Sequence, residues 1–134
     1  MKIQLAPAHA ESALDAISKI KVKSLNSPAG YALAKNTVIL NRVLKNFVQF
    51  RDAAMNETYP DKSEKRDASS TKHAELTAKV MAKAHEPIEV EVHQLKMSAL
   101  FSVGTIEDLT VITALDFLLD DDLNLELDAA APTT

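Results

Sequence analysis

The chain has no cysteine and no tryptophan, and only two of its 134 residues are glycine. Without cysteine it has no disulfide framework, no thiol nucleophile and no cysteine-based zinc site. Two glycines are too few for a glycine-rich phosphate loop, and they argue against a fold of many strands joined by tight turns. Aromatic residues make up 4% of the chain, so we expect a core built mainly of leucine, valine, isoleucine and alanine.

Long hydrophobic runs are also missing. No segment approaches the roughly 20 apolar residues that span a bilayer, and no basic stretch followed by an apolar run marks a signal peptide at the N-terminus. We therefore expect no membrane association. The chain is long enough for a core without disulfides or metals. We predict a single domain over residues 1–128 and a flexible tail over residues 129–134.

The longest pattern in the sequence is an apolar stripe over residues 28–59. Its apolar residues recur at intervals of three and four, which predicts an amphipathic helix. Ser27 is the predicted N-cap, and Pro28 fits the first helical turn. The stripe is wide for a single helix face, which leaves two interpretations open. Either all of it is core, or part of it is buried against another subunit.

A charged stretch follows the long helix and predicts an exposed, mobile loop at about residues 58–70. Helical spacing returns over residues 69–86. In this second helix Ala74 and Ala78 are predicted to be small packing residues that let it lie close to the first. The two helices together predict a long antiparallel hairpin.

Two short segments, residues 2–5 and 88–93, alternate apolar and polar side chains as half-buried strands do, and we predict that they pair. Further helices are predicted at residues 9–20 and 109–119, and a short third strand is possible at residues 123–127. The predicted fold class is therefore α+β and mainly α, with a helical hairpin, flanking helices and a small antiparallel sheet.

Patterns of catalytic or metal-binding residues are missing. The four histidines have no spacing typical of zinc ligands, and the acidic cluster at residues 120–122 lacks the central glycine of a calcium loop. Glu89 and Glu91 are interpreted as the solvent face of a strand, with Lys2 as a possible cross-strand partner, and no serine lies in a nucleophile elbow. We predict a protein that is not an enzyme, with no catalytic residues, no metal site and no cofactor.

The net charge of −4 is unevenly distributed. Residues 1–60 contain eight Lys or Arg and four Asp or Glu, whereas residues 61–134 contain seven and fifteen. One interpretation is that the two halves attract each other, within the fold or between subunits. Another is that an acidic C-terminal tail docks on a basic partner. A pI of about 5.5 and the lack of interleaved aromatics argue against nucleic-acid binding.

Several segments together carry a resemblance. They are Tyr-Ala-Leu-Ala-Lys-Asn at residues 31–36, Phe-Val-Gln-Phe-Arg-Asp-Ala-Ala at 47–54, Glu-Val-Glu-Val-His-Gln-Leu at 89–95, Thr-Ile-Glu-Asp-Leu at 105–109 and Ala-Leu-Asp at 114–116. In this order they resemble a group of small proteins of largely unassigned function encoded by tailed bacteriophages. The resemblance covers roughly residues 10–120 and leaves out the acidic, alanine-rich end. It implies a viral origin and a non-enzymatic role, and it supplies no catalytic residues.

We therefore expect a bacteriophage-encoded protein–protein interaction module that self-associates as a homo-oligomer, either in the virion or in the host cytoplasm. It would be a minor virion component or an assembly factor, and its partner another copy or another viral or host protein. The first alternative is a soluble inhibitor that binds a host defence protein. The second is a small-molecule-binding or enzymatic domain, with a pocket between the strand layer and the helices. Arginine and large aromatic side chains often dominate contact energy, so the predicted partner-binding residues are Tyr31, Arg42, Phe47, Phe50 and Arg51.

Overall fold

The computed structural model describes residues 1–20, 25–61, 64–100 and 110–120. In chain order the elements are β1 (Lys2–Leu5), α1 (Pro7–Ser18), α2 (Ser27–Thr58), α3 (Thr71–Ala84), β2 (Ile88–Glu91), β3 (Leu95–Lys96), α4 (Met97–Leu100), α5 (Thr110–Leu115), a 3-10 turn (Asp116–Leu118) and β4 (Leu119–Asp120). The fold is α+β and mainly helical, as the sequence predicts. None of the helices in these ranges is both long and apolar enough to cross a membrane.

The starts of the helices follow the sequence signals closely but not at every residue. Asn26, and not the predicted Ser27, caps α2, because its side-chain oxygen accepts a hydrogen bond from the Ala29 N–H at 2.9 Å. Ser70 caps α3, because its hydroxyl oxygen accepts a hydrogen bond from the His73 N–H at 3.2 Å. The first helix begins earlier than predicted, because Pro7 occupies its first turn, where a missing N–H does no harm.

α2 and α3 form the predicted antiparallel hairpin. Tyr59, just after α2, lies against His73 near the start of α3, with ring centroids 6.1 Å apart. Phe50, about two turns earlier in α2, lies beneath the ammonium groups of Lys79 and Lys83 further along α3. The contacts therefore run in opposite directions along the two helices.

The face that α3 turns toward α2 differs from the prediction. Ala74 and Ala78 are exposed, so the prediction that they bring the helices together is wrong. Leu76 is buried and Val80 is partly buried, and the alanines lie two residues to either side of Leu76. An offset of two places side chains on nearly opposite faces of a helix. This end of the hairpin has a small core of its own, made of Ala54, Tyr59 and Leu76 with Met55 and Val80 packed against it.

The loop after α2 is exposed, and its described residues are held by local polar contacts. The Asp67 carboxylate accepts hydrogen bonds from the Ser69 N–H at 2.9 Å and from the Ser69 hydroxyl at 2.7 Å. These hydrogen bonds lower the pKa of Asp67. Lys72 forms an ion pair with Glu64. The mobility of this loop stays a prediction.

The main core lies between α1, α2, the sheet and the C-terminal elements. β1 and β2 pair antiparallel, with Lys2 opposite Glu91 and Leu5 opposite Ile88, as predicted. The largest fully buried apolar side chains are leucines and valines, as the shortage of aromatics predicts: Leu5, Leu40, Val92, Leu95, Leu100, Val111, Leu115 and Leu118.

The C-terminal part departs most from the prediction. α5 ends at Leu115, and Leu119 lies in β4, which pairs in parallel with Leu95 of β3. The predicted helix over residues 109–119 is therefore too long, because a 3-10 turn and then β4 replace its last turn. The possible third strand at residues 123–127 lies outside the described residues.

Candidate interaction surfaces

A buried asparagine joins the long helix to the end of β2. Asn36 of α2 has no exposed surface. Its Nδ2 donates a hydrogen bond to the His93 carbonyl oxygen at 2.7 Å, and its Oδ1 accepts one from the His93 N–H at 2.7 Å. The side chain thus supplies the donor and acceptor that a residue of a neighbouring strand would supply. Position 36 lies three and four residues from the buried Leu33 and Leu40, which is the sequence signal for its burial.

Among the described residues, no strand lies beside the rest of this edge of β2, which is the edge opposite β1. Met1 and Val92 exchange hydrogen bonds, since the Val92 N–H donates to the Met1 carbonyl at 2.8 Å and the Met1 ammonium donates to the Val92 carbonyl at 3.1 Å. Backbone groups alternate in direction along an antiparallel strand. The register therefore turns the N–H and C=O groups of Glu89 and Glu91 away from β1.

An open groove of about 460 Å³ lies along this edge, between β2 and α2. Ile39 and Val43 line it on the helix side together with Arg42 and Asn46, and residues 88–91 line it on the strand side. We call it the β2 edge groove. The groove has an apolar lining next to a row of backbone groups of β2. It lies between the strand layer and the helix, which is the place of the pocket in the small-molecule alternative considered above.

The outer face of α2, defined here as Tyr31, Lys35, Val38, Arg42 and Lys45, is a second candidate surface. Intervals of three and four keep these residues on one side of the helix. Tyr31 is 60% exposed and Val38 is 55% exposed, although Val38 belongs to the predicted apolar stripe. α2 contains no acidic residue before position 52, so the outer face combines exposed apolar groups with positive charge.

The outer face of α2 adjoins the β2 edge groove. The Tyr31 ring lies edge-on to the His93 ring with centroids 6.2 Å apart, and His93 lines the groove. The Lys35 ammonium lies 5.4 Å from the centroid of the Tyr31 ring. Arg42 belongs to both surfaces. They therefore form one continuous region of the molecule.

The five predicted partner-binding residues do not form a single patch. Tyr31 and Arg42 lie on the outer face of α2, three helical turns apart. Phe47 and Phe50 are partly buried, and Phe50 lies against Lys79 of α3. Arg51 is exposed, with its Nε 3.5 Å from Asp52 Oδ1. Sequence reasoning missed Lys35 and Val38 as parts of the exposed face; their spacing from position 31 was the available signal.

The N-terminus places charge at the end of the sheet. The Met1 ammonium donates a hydrogen bond to Glu91 Oε1 at 2.9 Å. This hydrogen bond, with the positive charges of the ammonium, Lys2 and His93, holds the pKa of Glu91 below its ordinary value of 4.5. Ion pairs at exposed sites stabilise a fold only weakly.

We expect this ion pair to contribute to the pH dependence of stability. Because the folded-state pKa of Glu91 is lowered, its contribution is complete above the ordinary pKa and is lost as the pH falls through the folded-state value. Glu91→Gln should therefore flatten the loss of stability in urea titrations below about pH 4.5. Acetylating the N-terminus should have the same effect, and adding it to Glu91→Gln should change nothing further. Additive effects would show that the two groups act separately.

In the described ranges, no three His, Asp or Glu side chains come together as a potential metal site. Comparison with protein-family models, with curated proteins and with solved structures found no match. The geometry of the two surfaces therefore carries the functional argument.

Proposed function

We propose that this chain is a non-enzymatic, bacteriophage-encoded protein–protein interaction module that self-associates, and that it acts as a minor virion component or assembly factor. The viral origin rests on the resemblance of the sequence to small tailed-phage proteins. The interaction role rests on one observation, the exposure of Tyr31 and Val38 on a helix face whose charged residues are all basic.

The chemistry of the outer face of α2 favours a protein partner. A tyrosine and a valine that are more than half exposed on one face offer apolar area, and interfaces are enriched in aromatic and arginine side chains. Lys35, Arg42 and Lys45 surround this area with positive charge. The preferred partner surface is therefore acidic and partly apolar.

A second copy of the chain offers acidic residues for such a contact. Residues 61–134 carry fifteen acidic and seven basic residues, so the second half of one copy is complementary in charge to α2 of another. Contacts between different surfaces of identical subunits are heterologous, and they build rings or filaments. Such growth suits a component of an assembling particle.

We expect the solution mass to exceed the 14.6 kDa of one chain and to rise with concentration. The test is light scattering after size-exclusion chromatography over a concentration series. The double variant Tyr31→Ala, Val38→Ala should weaken association at least about tenfold, because it truncates the exposed apolar groups. Raising the salt concentration should also weaken it, because salt screens the attraction between the two charged halves.

A matched control comes from the chain itself. Val48 and Met81 are also large exposed apolar residues, but they lie off the outer face of α2, so Val48→Ala, Met81→Ala should associate like the unchanged protein. Equal weakening in both double variants would contradict the assignment of this face. A monomer at every concentration would overturn self-association.

A further inference from the structure

We propose that the free edge of β2 binds an extended peptide in which apolar residues alternate with lysine or arginine. The peptide would add to the sheet as a strand beside Glu89 and Glu91 and would fill the β2 edge groove. This inference rests on the proposed function, since it gives the interaction module a partner of defined chemistry. Its test reads peptide binding and not self-association, so either proposal can fail alone.

The backbone N–H and C=O groups at the outer edge of β2 point toward the position that a third strand would occupy. Asn36 supplies one rung of that strand, by pairing with both backbone groups of His93 at 2.7 Å. Glu91 and Glu89 follow at intervals of two, so their N–H and C=O groups point in the same direction as those of His93. Among the described residues, no hydrogen bond reaches these groups from the α2 side. A peptide would continue a ladder that the protein itself begins.

The space beside this edge suits a short strand. The groove of about 460 Å³ lies within the range of about 300–1,000 Å³ that is usual for ligand sites. Of the apolar residues that line it, Ile39, Ile88 and Val90 are only partly buried. Alternate side chains of an added strand would cover these apolar groups. Arg42 lies on the helix side, where its guanidinium can donate to peptide carbonyls.

The negative charges of Glu89 and Glu91 favour lysine or arginine at the peptide positions that do not face the apolar groups. An added strand places its remaining residues beside the exposed carboxylates of Glu89 and Glu91, and opposite charges across neighbouring strands are stabilising. Glu91 already pairs with the Met1 ammonium. Glu89 forms no ion pair with any described residue, so it is the carboxylate that a peptide lysine or arginine would neutralise.

The same argument excludes β2 of a second copy as the occupant. Ile88, Glu89, Val90 and Glu91 alternate strictly. Any pairing of two β2 strands that keeps their apolar residues on one face therefore places glutamate beside glutamate. Like charges across neighbouring strands are destabilising, so a partner strand must carry positive charge in those positions.

The test is fluorescence polarisation with a labelled, capped Val-Lys-Val-Lys-Val peptide titrated with the full chain. We expect saturable binding, and binding at least tenfold weaker when glutamate replaces lysine in the peptide. Glu89→Lys should reverse this preference. Glu11→Lys makes the same charge change at an exposed position of α1 and should leave it unchanged.

Backbone methylation separates strand addition from simple charge attraction. Only every second N–H of an added strand faces β2. N-methylation of one alternate set of peptide bonds should abolish binding, and N-methylation of the other set should leave most of it. No binding of the lysine peptide would overturn the proposal. Equal binding of the two methylated peptides would do so as well, because it would reduce the interaction to electrostatics.

Discussion

Asn36→Leu is expected to lower the free energy of unfolding by about 1–4 kcal/mol, because it leaves two partly buried backbone groups of His93 without their Asn36 partners. Each unsatisfied buried donor or acceptor destabilises a fold by about 1–3 kcal/mol. Leucine has as many side-chain heavy atoms as asparagine but is bulkier, so the substitution leaves no cavity, and overpacking adds to the loss of the hydrogen bonds. Urea unfolding followed by circular dichroism measures it directly.

Asn41→Leu is the matched control, since Asn41 lies on the same helix and is exposed. The two substitutions change helix propensity equally, so their difference reports the buried environment of Asn36, including its contacts with His93. Asn36→Asp keeps the oxygen that accepts from the His93 N–H, loses the amide donor, and buries a negative charge. We expect it to destabilise the protein as well. Equal stability of Asn36→Leu and Asn41→Leu would show that the paired hydrogen bonds do not hold β2 to α2.

Asn36 also shows why sequence patterns find elements more readily than the contacts between them. Helical spacing and strand alternation are local properties, so the sequence predicts α2, α3 and the pairing of β1 with β2. The partner of Asn36 lies 57 residues away, and no local pattern marks it. A polar residue on an apolar face indicates burial, but its partner depends on the tertiary fold.

The two boundaries that the sequence predicts wrongly, the end of α5 and the N-cap of α2, also depend on the tertiary fold. Leucine at position 119 fits the helical spacing of α5, yet it pairs with Leu95 in a parallel strand contact. Tertiary pairing overrides local propensity in such a case. The N-cap of α2 was displaced by one residue because Asn26 and Ser27 are both good capping residues, and only the geometry distinguishes them.

The surface of α2 was predicted in part. An apolar residue on a helix is not always buried, because apolar atoms make up much of any protein surface. The stripe on α2 was therefore interpreted as one broad band. In the structure it separates into a buried face, with Leu33 and Leu40, and the exposed Tyr31 and Val38.

The chain has two tyrosines, one buried and one exposed, and we expect truncation to alanine to change stability strongly at the first and little at the second. Tyr59 is 4% exposed and lies in the small core at the end of the hairpin. Its hydroxyl lies 3.0 Å from His73 Nδ1, and the Lys72 ammonium lies 4.7 Å from its ring centroid. Tyr59→Ala should lower the free energy of opening of α3 by about 3 kcal/mol, as removal of a buried aromatic ring does.

Amide hydrogen exchange of α3 measures this opening. A loss of about 3 kcal/mol corresponds to roughly 100-fold faster exchange. Tyr59→Phe keeps the ring and removes only the hydroxyl that lies near His73 Nδ1, which should lower the free energy of opening of α3 by about 1 kcal/mol. Tyr31→Ala should change stability by less than about 0.5 kcal/mol, because Tyr31 is exposed. If Tyr59→Ala left α3 exchange unchanged, α3 would be held by Leu76 and its aliphatic neighbours and not by the aromatic contact. If Tyr31→Ala were the more destabilising variant, the outer face of α2 would be structural, and its residues would no longer support an interaction role.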